Sequence, residues 1–164
     1  MQGNLYSPPD QDPPVAYRPA AVADALVTSP LFASMSRAEI LEVACEFDEQ
    51  RFGAGHRITL EGLRGTDFYL ILDGDARVSV DGRPVGHLGR GDFFGELGVL
   101  GDGTRFATVT AETPMYCLVL PHGRLRAMLV DHPRMSMNVL GEVVSRFQDL
   151  AGRRQAEKWG MSAG

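Results

Sequence analysis

The stretch FGELGVLGDGTRFATV, residues 94–109, brings a carboxylate, a guanidinium and four glycines into sixteen positions. Gly95 permits close backbone approach. Residues 96–100 are long enough for one helical turn whose unsatisfied N–H groups point back toward that glycine, which makes an anion site. Gly101, Asp102 and Gly103 then reverse the chain and return Arg105, as the first residue of the next strand, to the same place. A guanidinium there grips two oxygens of a phosphate at once. Glu96 is the odd member, because a carboxylate beside a phosphate repels it unless the ligand carries a hydroxyl close by for the carboxylate to accept. A ribose 3′,5′-cyclic phosphate has that arrangement: one negative charge for Arg105 and a 2′-hydroxyl for Glu96. The same residues leave a plainer alternative open, in which Glu96 and Arg105 pair with each other and merely close a tight loop.

The elements that must position these groups change period along the chain. MQGNLYSPPDQDPPVAYRPA holds five prolines and no hydrophobic period. Residues 1–21 therefore read as a disordered arm that does not nucleate a helix. From Val22, apolar residues recur at helical spacing, broken at Ser29-Pro30. Ser36 followed by Glu39 predicts a capping box for a second helix running to Ala44. Between Glu49 and Leu120 the period falls to 2. HRITL, DFYLIL, ARVSV, ATVTA and MYCLVL alternate or run apolar and are separated by Gly/Asp-rich turns, which predicts an antiparallel sandwich or barrel. Beyond Pro121, GRLRAMLVDHP reads as a short helix stopped at His132-Pro133. A longer helix follows, with Met135, Val139, Leu140, Val143, Phe147 and Leu150 along one stripe that a small β-roll cannot cover entirely. The expected fold is mainly β: a jelly-roll-like antiparallel β-roll (49–120) with N-terminal helices (22–48), C-terminal hinge and lid helices (121–160) and a tail (161–164).

Composition narrows the function classes. The 164-residue chain carries a net charge of −5, which argues against a nucleic-acid partner. Arg124, Arg126, Arg134, Arg146, Arg153 and Arg154 gather toward the C-terminus, but acids are interleaved, as on a solvated helix face. Lys158 is the only lysine among sixteen basic residues, a bias that fits a GC-rich bacterial genome. No apolar run approaches the ~20 residues that span a bilayer, and no signal peptide is evident, so a cytoplasmic protein without membrane insertion is expected. Cys45 and Cys117 read as buried, reduced core residues. His56, His87, His122 and His132 show neither an H-x-H pair nor i, i+4 spacing, and no nucleophile elbow is present, so neither a metal, a cofactor nor an enzyme is expected.

Residues 94–111 resemble the phosphate-binding cassette of cyclic-nucleotide-binding domains, as in protein kinase A regulatory subunits and bacterial catabolite-activator-type regulators. GAGHRITLEGLRGTDFYLILDGDARV is similar to that family's glycine-framed first strands, and the likeness extends more weakly over residues 25–150. The resemblance implies that Glu96 takes the ribose 2′-hydroxyl and Arg105 the cyclic phosphate. Gly95, Glu96 and Leu97 amides, with Gly98 close by and Ala107 beside Arg105, would complete the cradle. Phe106 departs from the family, which commonly has a small residue or a Ser/Thr there. Its ring either lines the purine pocket or turns outward against a helix. Because it supplies no hydroxyl favouring guanine, the selectivity leans toward cAMP, with cGMP the other ligand. Only GMSAG follows Trp159, so action through a separate effector protein, or a homodimer through the C-terminal helix, is expected. The alternative is a nucleotide-independent interaction module of the same fold that docks to a larger assembly through its N-terminal arm.

Overall fold

The computed structural model describes residues 19–121 and 123–158, with side chains described through residue 153. The residues assigned to the arm up to position 18, together with His122, Trp159 and the 161–164 tail, lie outside the described residues. Two helices, α1 (Pro19–Leu26) and α2 (Arg37–Ala44), flank a 3₁₀ turn at Pro30–Phe32. Eight strands and one short helix follow: β1 (Asp48–Phe52), β2 (Arg57–Thr59), β3 (Phe68–Asp73), β4 (Ala76–Val80), β5 (Arg83–Leu88), β6 (Phe93–Phe94), α3 (Glu96–Leu100), β7 (Thr108–Ala111) and β8 (Met115–Leu120). Then come α4 (Arg124–Asp131) and the 26-residue α5 (Pro133–Lys158).

The caps explain the boundaries. Ser36 and Glu39 form the expected reciprocal box, with Glu39 Oε2 accepting from the Ser36 amide at 2.7 Å. α1 begins at Pro19, inside the 1–21 segment expected to be an arm, because proline is tolerated at the first helical position, where its missing N–H has no intrahelical acceptor anyway. Pro133 opens α5 in the same way. Asp81 and Gly82, at φ of 51° and 71°, turn β4 into β5, as a two-residue Asp-Gly hairpin requires.

The strands form two four-stranded antiparallel sheets, ordered β1-β8-β3-β6 and β2-β7-β4-β5. The period-2 rule divides the first sheet between two cores. Phe68, Leu70, Phe93, Leu118 and Leu120 face α1, α2, α4 and the start of α5, packing with Leu26, Phe32, Phe47, Met135 and Val139. Their neighbours Tyr69, Ile71, Phe94, Cys117 and Val119 face the roll interior with Val109, Ala111 and Met115. Burial on both faces is why DFYLIL and MYCLVL read as continuous apolar runs rather than alternating ones. Cys117 is buried and its thiol is pushed up to about 12 by that burial. Cys45, expected in the core, is exposed instead. It is the C-cap of α2, which buries Ile40, Val43 and Ala44 on its other side.

Candidate functional site

Strand β6 ends on Phe93, buried among the helices, and Phe94, stacked at 4.7 Å on Tyr69 inside the roll. The chain then turns at Gly95, whose φ of 91° suits glycine and whose missing Cβ leaves room for Asp67 O, 2.4 Å from where that atom would stand. α3 follows, as expected, and buries Glu96, Gly98 and Val99. After the Gly101–Gly103 reversal, the Asp102 carboxylate accepts from the Thr104 amide at 2.9 Å and fixes the turn.

Arg105 precedes β7 by three residues instead of opening it. The expectation missed this because residues 62–65 already pair with its backbone. The Arg105 amide donates to Leu63 O at 2.8 Å, the Gly62 amide donates to Arg105 O at 2.9 Å, and the Gly65 amide donates to Gly103 O at 2.9 Å. The Arg105 guanidinium lies against three bare glycines: a Cβ would meet it at 2.4 Å on Gly65, 3.0 Å on Gly95 and 3.3 Å on Gly98. Nη1 donates to Asp67 O at 3.0 Å and to Gly95 O at 3.3 Å. Arg105 is 7 % exposed, and among the described residues no carboxylate forms a salt bridge with it.

Glu96 does not pair with Arg105, so the plainer alternative of a loop closed by that pair fails. Its partner is Arg146 of α5, whose Nη1 stands 2.8 Å from Glu96 Oε1. The same guanidinium donates to Phe93 O and, through Nε, to Glu142 at 3.2 Å. Glu96 is only 2 % exposed. Burial raises its pKa above the usual carboxylate value, and the nearby Arg146 charge offsets part of that rise.

All seven residues expected at the site, Gly95, Glu96, Leu97, Gly98, Arg105, Phe106 and Ala107, line one cavity of about 320 Å³, within the range of small-molecule pockets. The open question about Phe106 resolves into both of its alternatives at once. The residue lines the cavity and also meets Phe147 of α5, with ring centroids 5.5 Å apart. The sequence reading expected lid helices over residues 121–160 but did not name the α5 side chains that wall the pocket. Arg146, expected on a solvated face, is turned inward with Glu142, Val143, Phe147 and Leu150, and Arg153 donates to Val85 O of β5. The signal available was local: Glu142 and Arg146 are an i, i+4 pair beside Phe147, on the stripe already recognised as too long for one core. Among the described residues, no group of three or more His, Cys, Asp or Glu is placed to hold a metal ion, and no helix is long and apolar enough to cross a membrane.

A roll of this topology, carrying a glycine-cradled arginine and a buried glutamate in one cavity, defines a ligand-binding domain of a known class. The family model described as "Cyclic nucleotide-binding domain" matches residues 49–132, and the chain belongs to that family. It is 37 % identical over 90 residues (52 % of this chain, 17 % of the relative) to a cAMP-dependent protein kinase regulatory subunit from Mycosarcoma maydis. It is 37 % identical over 107 residues (65 % of this chain, 23 % of the relative) to one from Eremothecium gossypii. The chain thus spans less than a quarter of the length of these curated relatives. Among solved structures, cAMP-bound PfPKA-R superposes with a TM-score of 0.75 at 23 % identity, covering 90 % of this chain and 49 % of that one. The regulatory subunit of a cAMP-independent protein kinase A from Trypanosoma brucei gives 0.71 at 23 % identity, covering 83 % and 51 %. These two likenesses establish the fold, and since one neighbour is cAMP-bound and the other cAMP-independent, the ligand has to be argued from the side chains.

Proposed function

We propose that residues 22–160 form a cytoplasmic, non-enzymatic sensor domain that binds a 3′,5′-cyclic nucleotide, cAMP in preference, and relays occupancy through α5 to a separate partner chain or a second copy. The observation that carries this reading is Arg105: a buried cation facing a cavity, whose side chain, among the described residues, donates to two carbonyls and lies over the Tyr69 ring but forms a salt bridge with no carboxylate. A buried charge without a counter-ion is costly unless a ligand supplies one. The singly charged cyclic phosphate does so. The Gly95, Glu96, Leu97 and Gly98 backbone and Ala107 line the remaining contact surface, and Glu96 accepts the 2′-hydroxyl.

One observation favours the nucleotide-independent alternative. Arg146 already satisfies Glu96 in this structure, closing α5 over the cavity. Under the proposal the nucleotide shares or displaces that contact, which gives the ligand a mechanical handle on α5. Calorimetric titration of the intact chain with cAMP, cGMP and 5′-AMP tests the reading. Saturable binding of cAMP, at least as tight as cGMP and tighter than 5′-AMP, is expected. No saturable heat with any of the three would leave an interaction module.

A further inference from the structure

Two arginines of α5 fasten it to the roll, Arg146 and Arg153, whose spacing places them on one side of a helix with 3.6 residues per turn. Arg146 donates to the Glu96 carboxylate and to Phe93 O. Arg153 Nη1 donates to Val85 O. The two fastenings differ in kind. Glu96 is a group that the nucleotide would claim, whereas Val85 lies on β5, outside the cassette.

The register explains why Val85 offers its carbonyl. β5 is the outer strand of its sheet, with β4 as its neighbour. Val78 and Ser79 of β4 pair with Gly86 and Pro84, which leaves Val85 as the extra residue of a bulge. A carbonyl at such a position needs a donor from elsewhere. Arg153 supplies one from the facing wall. Asp149 stands one turn earlier on α5, where a carboxylate ordinarily draws an arginine four residues on. Among the described residues, however, no salt bridge joins the two. The guanidinium reaches to the roll instead of back along its own helix. Val85 and Arg153 both line the cavity, and Arg153 is exposed, so their bond ties the two walls together at the rim.

We propose that Arg153 is a rim latch: it holds the end of α5 on β5 and sets how fast a cyclic nucleotide enters and leaves the cavity, without setting how tightly it is held. A contact shifts a binding equilibrium only by the difference in its strength between the two states. Neither Val85 O nor Arg153 is a group that the cyclic phosphate or the ribose would claim, so the latch contributes alike to both states and drops out of Kd. It stays in the barrier, because the walls must part for the nucleotide to pass. This rests on the cyclic-nucleotide reading above and adds a positioning residue to it.

The test chases radiolabelled cAMP from the intact chain with unlabelled cAMP, and measures Kd by calorimetry, for the wild type, Arg153→Ala and Arg153→Lys. Arg153→Ala is expected to release the nucleotide about threefold to tenfold faster, as loss of one charge-assisted bond at an exposed place implies, while Kd changes by less than about twofold. Association then quickens in step with release. Arg153→Lys keeps the charge but replaces the planar fork with one ammonium, and should fall between the other two proteins. Equal release from the wild type and Arg153→Ala would overturn the inference. A rise in Kd that matches the rise in release rate would overturn it as well, because Arg153 would then hold the nucleotide itself. So would slower association in Arg153→Ala with Arg153→Lys unchanged, the mark of a cation that only steers the anion inward. A wild type that binds no cAMP would sink the cyclic-nucleotide reading and the latch with it, an outcome distinct from binding at an unaltered rate.

Discussion

Glu96 is a carboxylate held where a carboxylate is costly, and that cost has a pH signature. Burial raises its pKa in the folded chain, with the Arg146 charge offsetting only part of the rise. The folded state therefore holds this proton to higher pH than the unfolded chain does. Its contribution to stability is fully present below the ordinary carboxylate pKa and is lost as pH rises through the higher folded value. Glu96→Gln removes that slope. We expect wild type and variant to melt at similar temperatures near pH 4. At pH 7 the variant should melt higher than the wild type. A gap that is the same at both pH values, read by thermal denaturation, would place the carboxylate's cost elsewhere. At this scale the sequence was informative about Arg105 and Glu96, because only glycines at 95 and 98 admit a guanidinium so close to the backbone. Arg146 was legible only in part: Glu142 stands one helical turn away, but Glu96 lies 50 residues away and nothing in the sequence brings those two together.

α5 belongs to two structures at once. Its first turns bury Met135 and Val139 against the helical core, whereas Glu142, Arg146, Phe147, Leu150 and Arg153 belong to the cavity. Gly141 lies between the two parts, and a Cβ there would meet nothing within 4 Å. Glycine at such a place weakens the helix by about 1 kcal/mol relative to alanine, which suits a lid that loosens at that point. If cAMP competes for Glu96, the hydrogen exchange of residues 142–153 should change on binding, while 133–140 stays protected as part of the core. Identical exchange across both parts, in protein shown to be saturated with nucleotide, would remove the relay and leave a passive binder. The helix ends themselves were readable from Ser36, Glu39 and the His132-Pro133 stop, because caps are local chemistry. A lid helix was expected from the resemblance, but the residues that close it over the cavity were not readable, because a helical period shows which face of α5 is apolar without showing what stands opposite.

Viewed whole, the molecule has one sheet between two cores and a second sheet that faces the site. The first was legible from the unbroken apolar runs at 68–72 and 115–120, which no one-sided strand would carry. The sheet partners were not, since β1-β8-β3-β6 joins strands far apart in sequence and periodicity carries no pairing information. A face of α5 remains outside both cores: Met137, Leu140 and Val144, at i, i+3 and i+7, are exposed, as is Val130 of α4. We expect this stripe to be where a second copy or an effector docks. Sedimentation velocity over a range of concentrations checks it: association of the wild type that disappears in Leu140→Glu fits a homodimer. A wild type that stays monomeric throughout would reserve the face for a different protein.

The central claim is that Arg105 is a cation waiting for the phosphate of a cyclic nucleotide. Titrating cAMP into the wild type and into Arg105→Ala, both shown to be folded by circular dichroism, tests it most directly. The charge-assisted bonds that Arg105 would make to the ligand's only formal charge predict a loss of about 2–4 kcal/mol, roughly thirty-fold to several hundred-fold in Kd. Equal affinity in the two proteins would contradict the account, because the nucleotide would then be bound somewhere other than this cavity.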